Sequence, residues 1–203
     1  VKEGNIAEAR SVLSAINPQN VEQSLAEIKA SDVTQNSGIK EFFSGKYSWP
    51  ILLAFLIAFF NQASGINAII YYAPEIFKAA GMEANSALLQ SVGIGVVNLI
   101  FTMLGLYLID KAGRKTLMYI GSIGYIISLI MMSTSFFQES LDGLAWWVFA
   151  FIASHAIGQG AVIWVFISEI FPNEVRGSGM ALGSGTHWVF AWLITTIFPY
   201  FQA

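Results

Sequence analysis

The chain alternates long apolar runs with short polar segments. Five windows contain no charged side chain, and they run over residues 47–74, 84–109, 116–138, 143–168 and 177–203. A helix needs about 20 residues to cross a hydrocarbon core of about 30 Å. The shortest window has 23 residues, so the pattern predicts five transmembrane helices within residues 47–203.

The first 46 residues follow a different pattern. Apolar side chains at positions 6, 9, 12, 13 and 16 have helical spacing, with Asn5 as a cap and Pro18 as a stop. A second short helix is predicted over residues 20–30. We expect residues 1–46 to form linker helices on the cytoplasmic face of the membrane. A helix that lies on the membrane surface or binds a partner is the alternative.

The composition indicates an all-α membrane protein. Only 11% of the residues are charged, and the mean hydropathy is +0.61. The charged residues are confined to the first 46 positions and to four short gaps between the windows. This distribution is typical of a polytopic membrane helix bundle. The chain has no Cys, which excludes disulfides, thiol chemistry and thiolate metal sites.

Lys and Arg are distributed unevenly among the polar segments. Five lie in the first 46 residues, three in residues 110–115 and one in 169–176, against one in 75–83 and none in 139–142. Basic loops of a membrane protein stay in the cytoplasm. The distribution therefore predicts that residues 1–46 and the loops near 110 and 169 are cytoplasmic, and that residue 203 is on the outer side.

Three side-chain amides interrupt the first apolar window: Asn61, Gln62 and Asn67. Lipid offers them no hydrogen-bond partner, so they must face one another or water. Gln62 and Asn67 lie about 140° apart around a straight helix. Local unwinding at Gly65 would place both amides and Tyr71 on one wall, as in the broken helices of transporters. Alternatively, the amides only hold neighbouring helices together.

The later windows contain further small, polar and aromatic residues: Asn98 in the second, Ser154, His155, Gly158, Gln159, Gly160 and Trp164 in the fourth, and His187 and Trp188 in the fifth. Each alone could be structural. Together, however, amides and neutral imidazoles donate and accept hydrogen bonds as hydroxyl groups do, and indoles offer flat apolar faces. No window contains a fixed charge that could hold an ion. The set therefore predicts a site for a neutral polyhydroxylated ring, a sugar.

Charged residues of both signs border the turns that are predicted to be cytoplasmic. Asp110 and Arg114 belong to one turn, and Glu169 and Arg176 bracket the next. Ion pairs between these helix ends could bias an equilibrium between two conformations, although a single exposed pair contributes only ~0–1 kcal/mol. The alternative is that the basic residues only set the topology.

Three motifs in a fixed order connect the chain to a known family. They are Gln62-x-x-Gly65-Ile66-Asn67-x-x-x-Tyr71-Tyr72, Asp110-x-x-Gly113-Arg114-Lys115 and Ser168-Glu169-Ile170-Phe171-Pro172-x-x-x-Arg176-Gly177. With these motifs the chain resembles the sugar porter family of the major facilitator superfamily over nearly its whole length. The resemblance implies the C-terminal half of a major facilitator fold: linker helices followed by spans seven to eleven of twelve.

The resemblance also implies roles for individual residues. The implied sugar-binding residues are Gln62, Asn67, Asn98, Gly160, Trp164 and Trp188, to which the polar residues of the windows add Asn61, His155 and His187. The implied outer gate is Tyr71 and Tyr72, and the implied cytoplasmic salt-bridge lock is Asp110, Arg114, Glu169 and Arg176.

Some positions depart from the pattern of the family. The family often has a Gln pair where this chain has Asn61 and Gln62, and an Asn or Gln where it has His187. Ala156 stands where some members carry an acid. These differences leave the identity of the sugar open.

The expected function is transport of a hexose or pentose by alternating access. Uniport and proton symport both stay open, and a non-transporting sugar sensor of the same fold is the alternative. An enzyme lacks support, because the windows contain no acid pair, no metal-binding His and Glu spacing and no serine motif with a base.

The expected partners are a monosaccharide, the lipid bilayer, the other half of the same protein and, for symport, protons. We expect no nucleic acid, cofactor or metal ion. The chain begins at Val1 and ends within an apolar window at Ala203, so we expect a fragment. The expected location is the plasma (inner) membrane.

Overall fold

The computed structural model describes residues 5–34, 39–138 and 143–202, and helices are the only regular secondary structure in these ranges. The helices are α1 (Ile6–Ile16), α2 (Val21–Thr34), α3 (Ile39–Phe42), α4 (Ser48–Ala63), α5 (Ile66–Tyr71), α6 (Ala73–Ala79), α7 (Ala84–Ala112), α8 (Arg114–Phe137), α9 (Leu144–His155), α10 (Val162–Ile170) and α11 (Arg176–Gln202), with a π-helical turn at Ala156–Gly160 between α9 and α10.

The amphipathic pattern near the start of the chain forms α1 and α2. Asn5 caps α1, since its side-chain oxygen accepts a hydrogen bond of 3.3 Å from the backbone N–H of Glu8. Arg10 on α1 donates two hydrogen bonds to the carboxylate of Glu22 on α2, at 2.8 and 3.2 Å. These contacts hold the two helices together. Residues 1–4 and 35–38 of the predicted linker lie outside the described residues.

Four stretches of the described residues are long and apolar enough to cross a membrane: Ser48–Tyr71, Ala84–Ala112, Arg114–Phe137 and Leu144–Ile170. They correspond to the first four apolar windows. The fifth window forms α11, a continuous helix of 27 residues. It is not among the four, because its Gly, Ser, Thr, His and Trp residues lower its mean hydropathy. The fifth span stays a prediction.

Helix α9 lies at the centre of the largest apolar cluster. Its Leu144, Val148 and Phe151 side chains are buried and pack with Phe77 of α6 and with residues of α5, α7 and α8. A second cluster joins α3, α4 and α10 around buried residues that include Ile167. The two clusters set the positions of α4 and of the segment from α9 to α10. The polar residues of α4 face the polar residues of that segment.

The first span is broken where the sequence analysis predicts it. Helix α4 ends at Ala63, and Gly65 has φ 81° and ψ 11°, the left-handed conformation that glycine adopts without a steric penalty. Helix α5 then begins at Ile66. The predicted unwinding at Gly65 is confirmed. Pro74 lies in the first turn of α6, where its missing N–H leaves no helical bond unmade.

The π-helical turn was not predicted from the sequence. It lies against α8, where Gly158 and Gly121 approach so closely that their backbones are in contact. Small residues allow such contact between membrane helices. This close contact holds the π-helical turn, and with it Gln159, against α8.

Candidate ligand-binding site

A polar cavity of about 270 Å³ opens between the broken first span, α7, the π-helical turn, α10 and α11. Ligand pockets for small molecules range over about 300–1,000 Å³, so the cavity lies just below the lower end of that range and has room only for a small ligand. Its lining consists of Asn61, Gln62, Ile66, Asn67, Ile70, Asn98, Thr102, His155, Gln159, Gly160, Ala161, Ile163, Trp164 and His187.

The break at Gly65 brings the amides of the first span together. Asn67, the second residue of α5, donates a hydrogen bond of 2.9 Å from Nδ2 to Oε1 of Gln62 near the end of α4. A straight helix would separate these two side chains by about 140° around its axis. Gln62 is buried, whereas Asn67 is half-buried and faces the cavity.

Asn61 points towards the α9–α10 segment. Its Nδ2 donates to the backbone carbonyl oxygen of Gln159 at 3.3 Å and lies 3.3 Å from Nε2 of His155. Its Oδ1 accepts a hydrogen bond of 2.8 Å from Nε2 of Gln62. Asn61 is 3% exposed and Gln62 is 1% exposed. The two amides therefore have protein partners in place of lipid, as their burial requires.

An aromatic and imidazole pair forms another wall. The rings of Trp164 and His187 are 5.1 Å apart in an edge-to-face arrangement, and Nδ1 of His187 lies 3.1 Å from Nε2 of Gln62. Gly160 lines the cavity near Trp164 without a side chain of its own. The indole face is therefore beside an open patch of backbone.

Most of the predicted binding residues line this one cavity, although they come from four apolar windows. Trp188 is the exception. Its indole is 61% exposed and lies outside the lining, in ring contact with His187 at 5.3 Å. Asn98 belongs to the lining but is itself exposed in this structure.

The two tyrosines of the predicted outer gate have different surroundings. Tyr71 is 59% exposed and lies outside the lining, so the break at Gly65 does not bring it to the wall shared by Gln62 and Asn67. Tyr72 donates a hydrogen bond of 3.0 Å from its hydroxyl to the carbonyl oxygen of Thr195, and its ring stacks on Phe198. Tyr72 thus connects the end of the first span to α11.

The predicted binding residues include neither Thr102 nor Gln159, although the sequence analysis names Gln159 among the polar groups of the fourth window. Gln159 carried a usable signal, an amide within an apolar window like that of Asn61. Its Nε2 donates a hydrogen bond of 2.9 Å to Oγ of Ser122 on α8. Thr102 follows Asn98 by one helical turn and therefore shares its face of α7. That spacing could have identified it.

Three of the four predicted lock residues meet in the structure. Arg114 donates to Oε1 of Glu169 from Nε at 3.1 Å and from Nη2 at 3.0 Å, and its Nη1 lies 3.2 Å from Oδ1 of Asp110. These contacts join the ends of α7, α8 and α10. Arg176 is exposed, and its side chain has no ion-pair partner among the described residues.

The cavity lining limits the chemistry of a ligand. The lining residues include no Asp, Glu, Lys or Arg, and no group of three or more His, Cys, Asp or Glu within the described ranges could hold a metal ion. The wall instead presents amides, a hydroxyl, imidazoles and an indole. Such a surface suits an uncharged ligand with several hydroxyl groups.

Four stretches long enough to cross a membrane, one of them broken at a glycine beside the cavity, have the helical arrangement of the major facilitator superfamily. The chain belongs to the family described as "Sugar (and other) transporter", whose sequence model matches residues 1–203. It is accordingly an integral membrane protein.

The chain is similar to sugar symporters of bacteria. It is 36% identical over 202 residues to the arabinose-proton symporter of Bacillus subtilis (strain 168), covering 98% of this chain and 44% of that protein. It is 38% identical over 150 residues to the D-xylose-proton symporter of Escherichia coli (strain K12), covering 73% of this chain and 30% of that protein.

A solved structure has the same arrangement of helices. The proton:xylose symporter XylE bound to 6-bromo-6-deoxy-D-glucose matches with a TM-score of 0.80 and 34% identity, over 98% of this chain and 42% of that chain. The chain therefore spans less than half the length of these relatives.

Proposed function

We propose that the protein containing this chain transports a monosaccharide, a hexose or a pentose, across a membrane by alternating access. The observation that carries the proposal is the convergence of amides, imidazoles and an indole from separate helices on one cavity that lacks charged side chains. Two relatives, an arabinose-proton symporter and a D-xylose-proton symporter, have ligands of this class.

Within the cavity, Asn67 and Asn98 contact hydroxyl groups of the sugar, because their amides can both donate and accept. Trp164 supports the apolar face of the ring beside the backbone patch at Gly160. His187 and Gln62 complete the wall behind Asn67. Each role follows from a side chain that lines the cavity and has the chemistry of a hydroxylated ring.

Trp188 contributes from outside the lining, by packing against the ring of His187. Tyr71 and Tyr72 belong to the outer gate, since they lie at the end of the broken first span where it meets α11. In this proposal the gate moves when α5 moves relative to α11.

The cytoplasmic lock consists of Arg114 with Glu169 and Asp110. Breaking these ion pairs separates the ends of α7, α8 and α10 and favours the conformation open to the cytoplasm. Arg176 joins the lock in a conformation other than the one described. Each exposed pair contributes only ~0–1 kcal/mol, which is enough to bias a near-balanced equilibrium.

The basic segments give the orientation that accompanies this function. Residues 1–46 face the cytoplasm of a plasma (inner) membrane, as the distribution of Lys and Arg predicts. The other half of a major facilitator fold completes the cavity, in agreement with the 42% coverage of the solved symporter. The bilayer surrounds the exposed apolar faces of α7 and α8.

Sugar uptake by the full-length protein in proteoliposomes tests the proposal. Radiolabelled arabinose, xylose and glucose are offered with and without a proton gradient, and Asn67→Ala serves as the comparison. We expect time-dependent uptake by the wild type; stimulation by the gradient would establish symport, and equal uptake without it would establish uniport. Binding without any uptake would contradict transport and identify a sugar sensor.

A further inference from the structure

The amides of the first span form one continuous hydrogen-bonded chain with a definite direction. Asn67 donates to Gln62, Gln62 donates to Asn61, and Asn61 donates to Gln159. The last acceptor is a backbone carbonyl oxygen. A carbonyl oxygen can only accept, so Asn61 must turn its NH₂ group towards Gln159.

This one constraint determines the orientation of the next amide. With its NH₂ group on Gln159 and His155, Asn61 presents Oδ1 to Gln62 at 2.8 Å. Gln62 must therefore turn its NH₂ group towards Asn61, and its second N–H meets His187 at 3.1 Å. Both N–H groups of Gln62 are thereby used within the protein.

The orientation of Asn67 follows from that of Gln62. Oε1 of Gln62 accepts from Nδ2 of Asn67 at 2.9 Å, so Asn67 keeps Oδ1 and its other N–H for the cavity that it lines. A ligand hydroxyl next to Oδ1 has to donate. The direction of the hydrogen bonds thus uses one N–H of Asn67 within the protein and leaves Oδ1 without a partner among the described residues, so Oδ1 is the main group that Asn67 offers to a ligand.

Two contacts hold Gln159, the last acceptor of this series of hydrogen bonds, in place. The Gly121 and Gly158 backbones touch, so that a Cβ on Gly158 would lie 2.6 Å from Cα of Gly121. The side chain of Gln159 donates to Ser122 at 2.9 Å. Gln159 is therefore anchored to α8 on one side and bonded to Asn61 on the other.

We infer that Asn61 is a positioning residue that does not itself hold the ligand. Fixed by the carbonyl oxygen of Gln159 in the π-helical turn, it orients Gln62 so that Asn67 offers its carbonyl oxygen to a donating hydroxyl of the ligand. This inference rests on the proposed function, in which that ligand is a monosaccharide. It assigns the hydroxyl at Asn67 the role of hydrogen-bond donor.

Deoxy and fluoro sugars distinguish a donating hydroxyl from an accepting one. A fluorine substituent can accept a hydrogen bond weakly and cannot donate, whereas a deoxy position can do neither. The test measures binding of singly substituted analogues to the purified full-length protein by titration calorimetry. The hydroxyl that faces Asn67 is the one whose removal no longer changes affinity in Asn67→Ala.

At that hydroxyl we expect the fluoro and the deoxy analogue to lose the same affinity, about tenfold relative to the parent sugar. Both lack the proton that Oδ1 of Asn67 accepts. A fluoro analogue that binds like the parent sugar would overturn the inference, because Asn67 would then be offering its N–H.

Variants at Asn61 separate positioning from general support of the fold. Asn61→Leu has a similar shape but removes both the acceptor for Gln62 and the donor to Gln159. The amides of Gln62 and Asn67 can then rotate, and we expect the fluoro analogue to bind about threefold more tightly than the deoxy analogue. Asn85→Leu is the matched control, because this exposed amide of α7 lies outside the cavity lining and its replacement should keep the two analogues equal.

If the role of Asn61 is purely structural, a folded Asn61→Leu protein would bind all sugars more weakly. The ratio of the affinities for the two analogues would then stay unchanged. That result would overturn the inference. If Asn61→Leu does not fold, the ratio of the two analogues is measured in Asn61→Ala, and an unchanged ratio there overturns the inference. Failure of the wild type to bind any monosaccharide would overturn the proposed function as well, whereas normal binding of the parent sugar with the wrong ratio overturns this inference alone.

Discussion

Gly121 on α8 and Gly158 in the π-helical turn are so close that a Cβ on Gly121 would lie 2.5 Å from Cα of Gly158. Neither position can hold a side chain without moving a backbone. The contact holds the π-helical turn against α8, and the turn supplies the carbonyl oxygen that orients Asn61. Helix packing and the geometry of the cavity are therefore linked at this pair.

Replacing Gly158 with Ala tests this link. The new methyl group would push the π-helical turn away from α8, and overpacking of this kind costs about 1–3 kcal/mol. We expect a lower thermal midpoint in detergent and weaker sugar binding. Gly95→Ala is the control, because a Cβ there meets nothing within 4 Å. Equal midpoints for the two variants would show that the contact is not important.

The left-handed conformation of Gly65 leads to a second prediction. An Ala at φ 81° is strained by roughly 1–2 kcal/mol. We expect Gly65→Ala to lower stability and to reduce sugar affinity, since the break places Asn67 beside Gln62. Asn tolerates the left-handed region better, so Gly65→Asn should be more stable than Gly65→Ala. The prediction fails if the two variants have the same midpoint in thermal unfolding.

Asn67→Ala removes the amide that the break brings to the cavity wall. We expect the dissociation constant for the sugar to rise about tenfold, because a ligand hydroxyl loses its partner. Expression and thermal midpoint should change little, since Asn67 is only half-buried. Asn85→Ala, an exposed amide of α7 outside the lining, is the matched control. Unchanged affinity in Asn67→Ala would remove this residue from the site.

Trp164→Ala removes the indole beside Gly160. We expect about tenfold weaker sugar binding, measured by calorimetry, because the apolar face of the ring loses its support. Trp146→Ala is the control, since Trp146 lies on α9, is exposed and does not line the cavity. If both substitutions weaken binding equally, Trp164 has no specific role.

The ion pair between Arg114 and Glu169 is open to a charge-reversal experiment. Arg114→Glu places two carboxylates together, and we expect slower uptake and greater opening of the cytoplasmic side. The double variant Arg114→Glu with Glu169→Arg should recover part of the wild-type behaviour. Alkylation of a single cysteine, introduced at this side of a full-length protein from which any other Cys has been removed, reports the opening. No recovery in the double variant would contradict a direct pair.

Local patterns were sufficient to predict several elements. The apolar windows predicted the four stretches that can cross a membrane, and the spacing of apolar positions predicted α1. The amides around Gly65 predicted a break in the first span, which the structure confirms. These features depend on solvation and on backbone freedom at single positions, and both can be read from neighbouring residues.

Other features depended on residues that are distant in the chain. Asn61 and His155 are 94 positions apart, and no local pattern indicates that they meet. No local pattern indicates the contact of Gly121 with Gly158 or the π-helical turn that contains Gly158. The position of Trp188 outside the cavity is likewise not indicated by neighbouring residues.

The amino-acid order thus decided which segments enter the membrane and which polar side chains need partners there, because lipid offers none. Only the packing of the helices decided which groups of the protein are those hydrogen-bond partners. Hydrogen bonds require donor and acceptor within about 3 Å in a suitable direction, and that geometry exists only once α4, α8, α9 and α11 lie against one another.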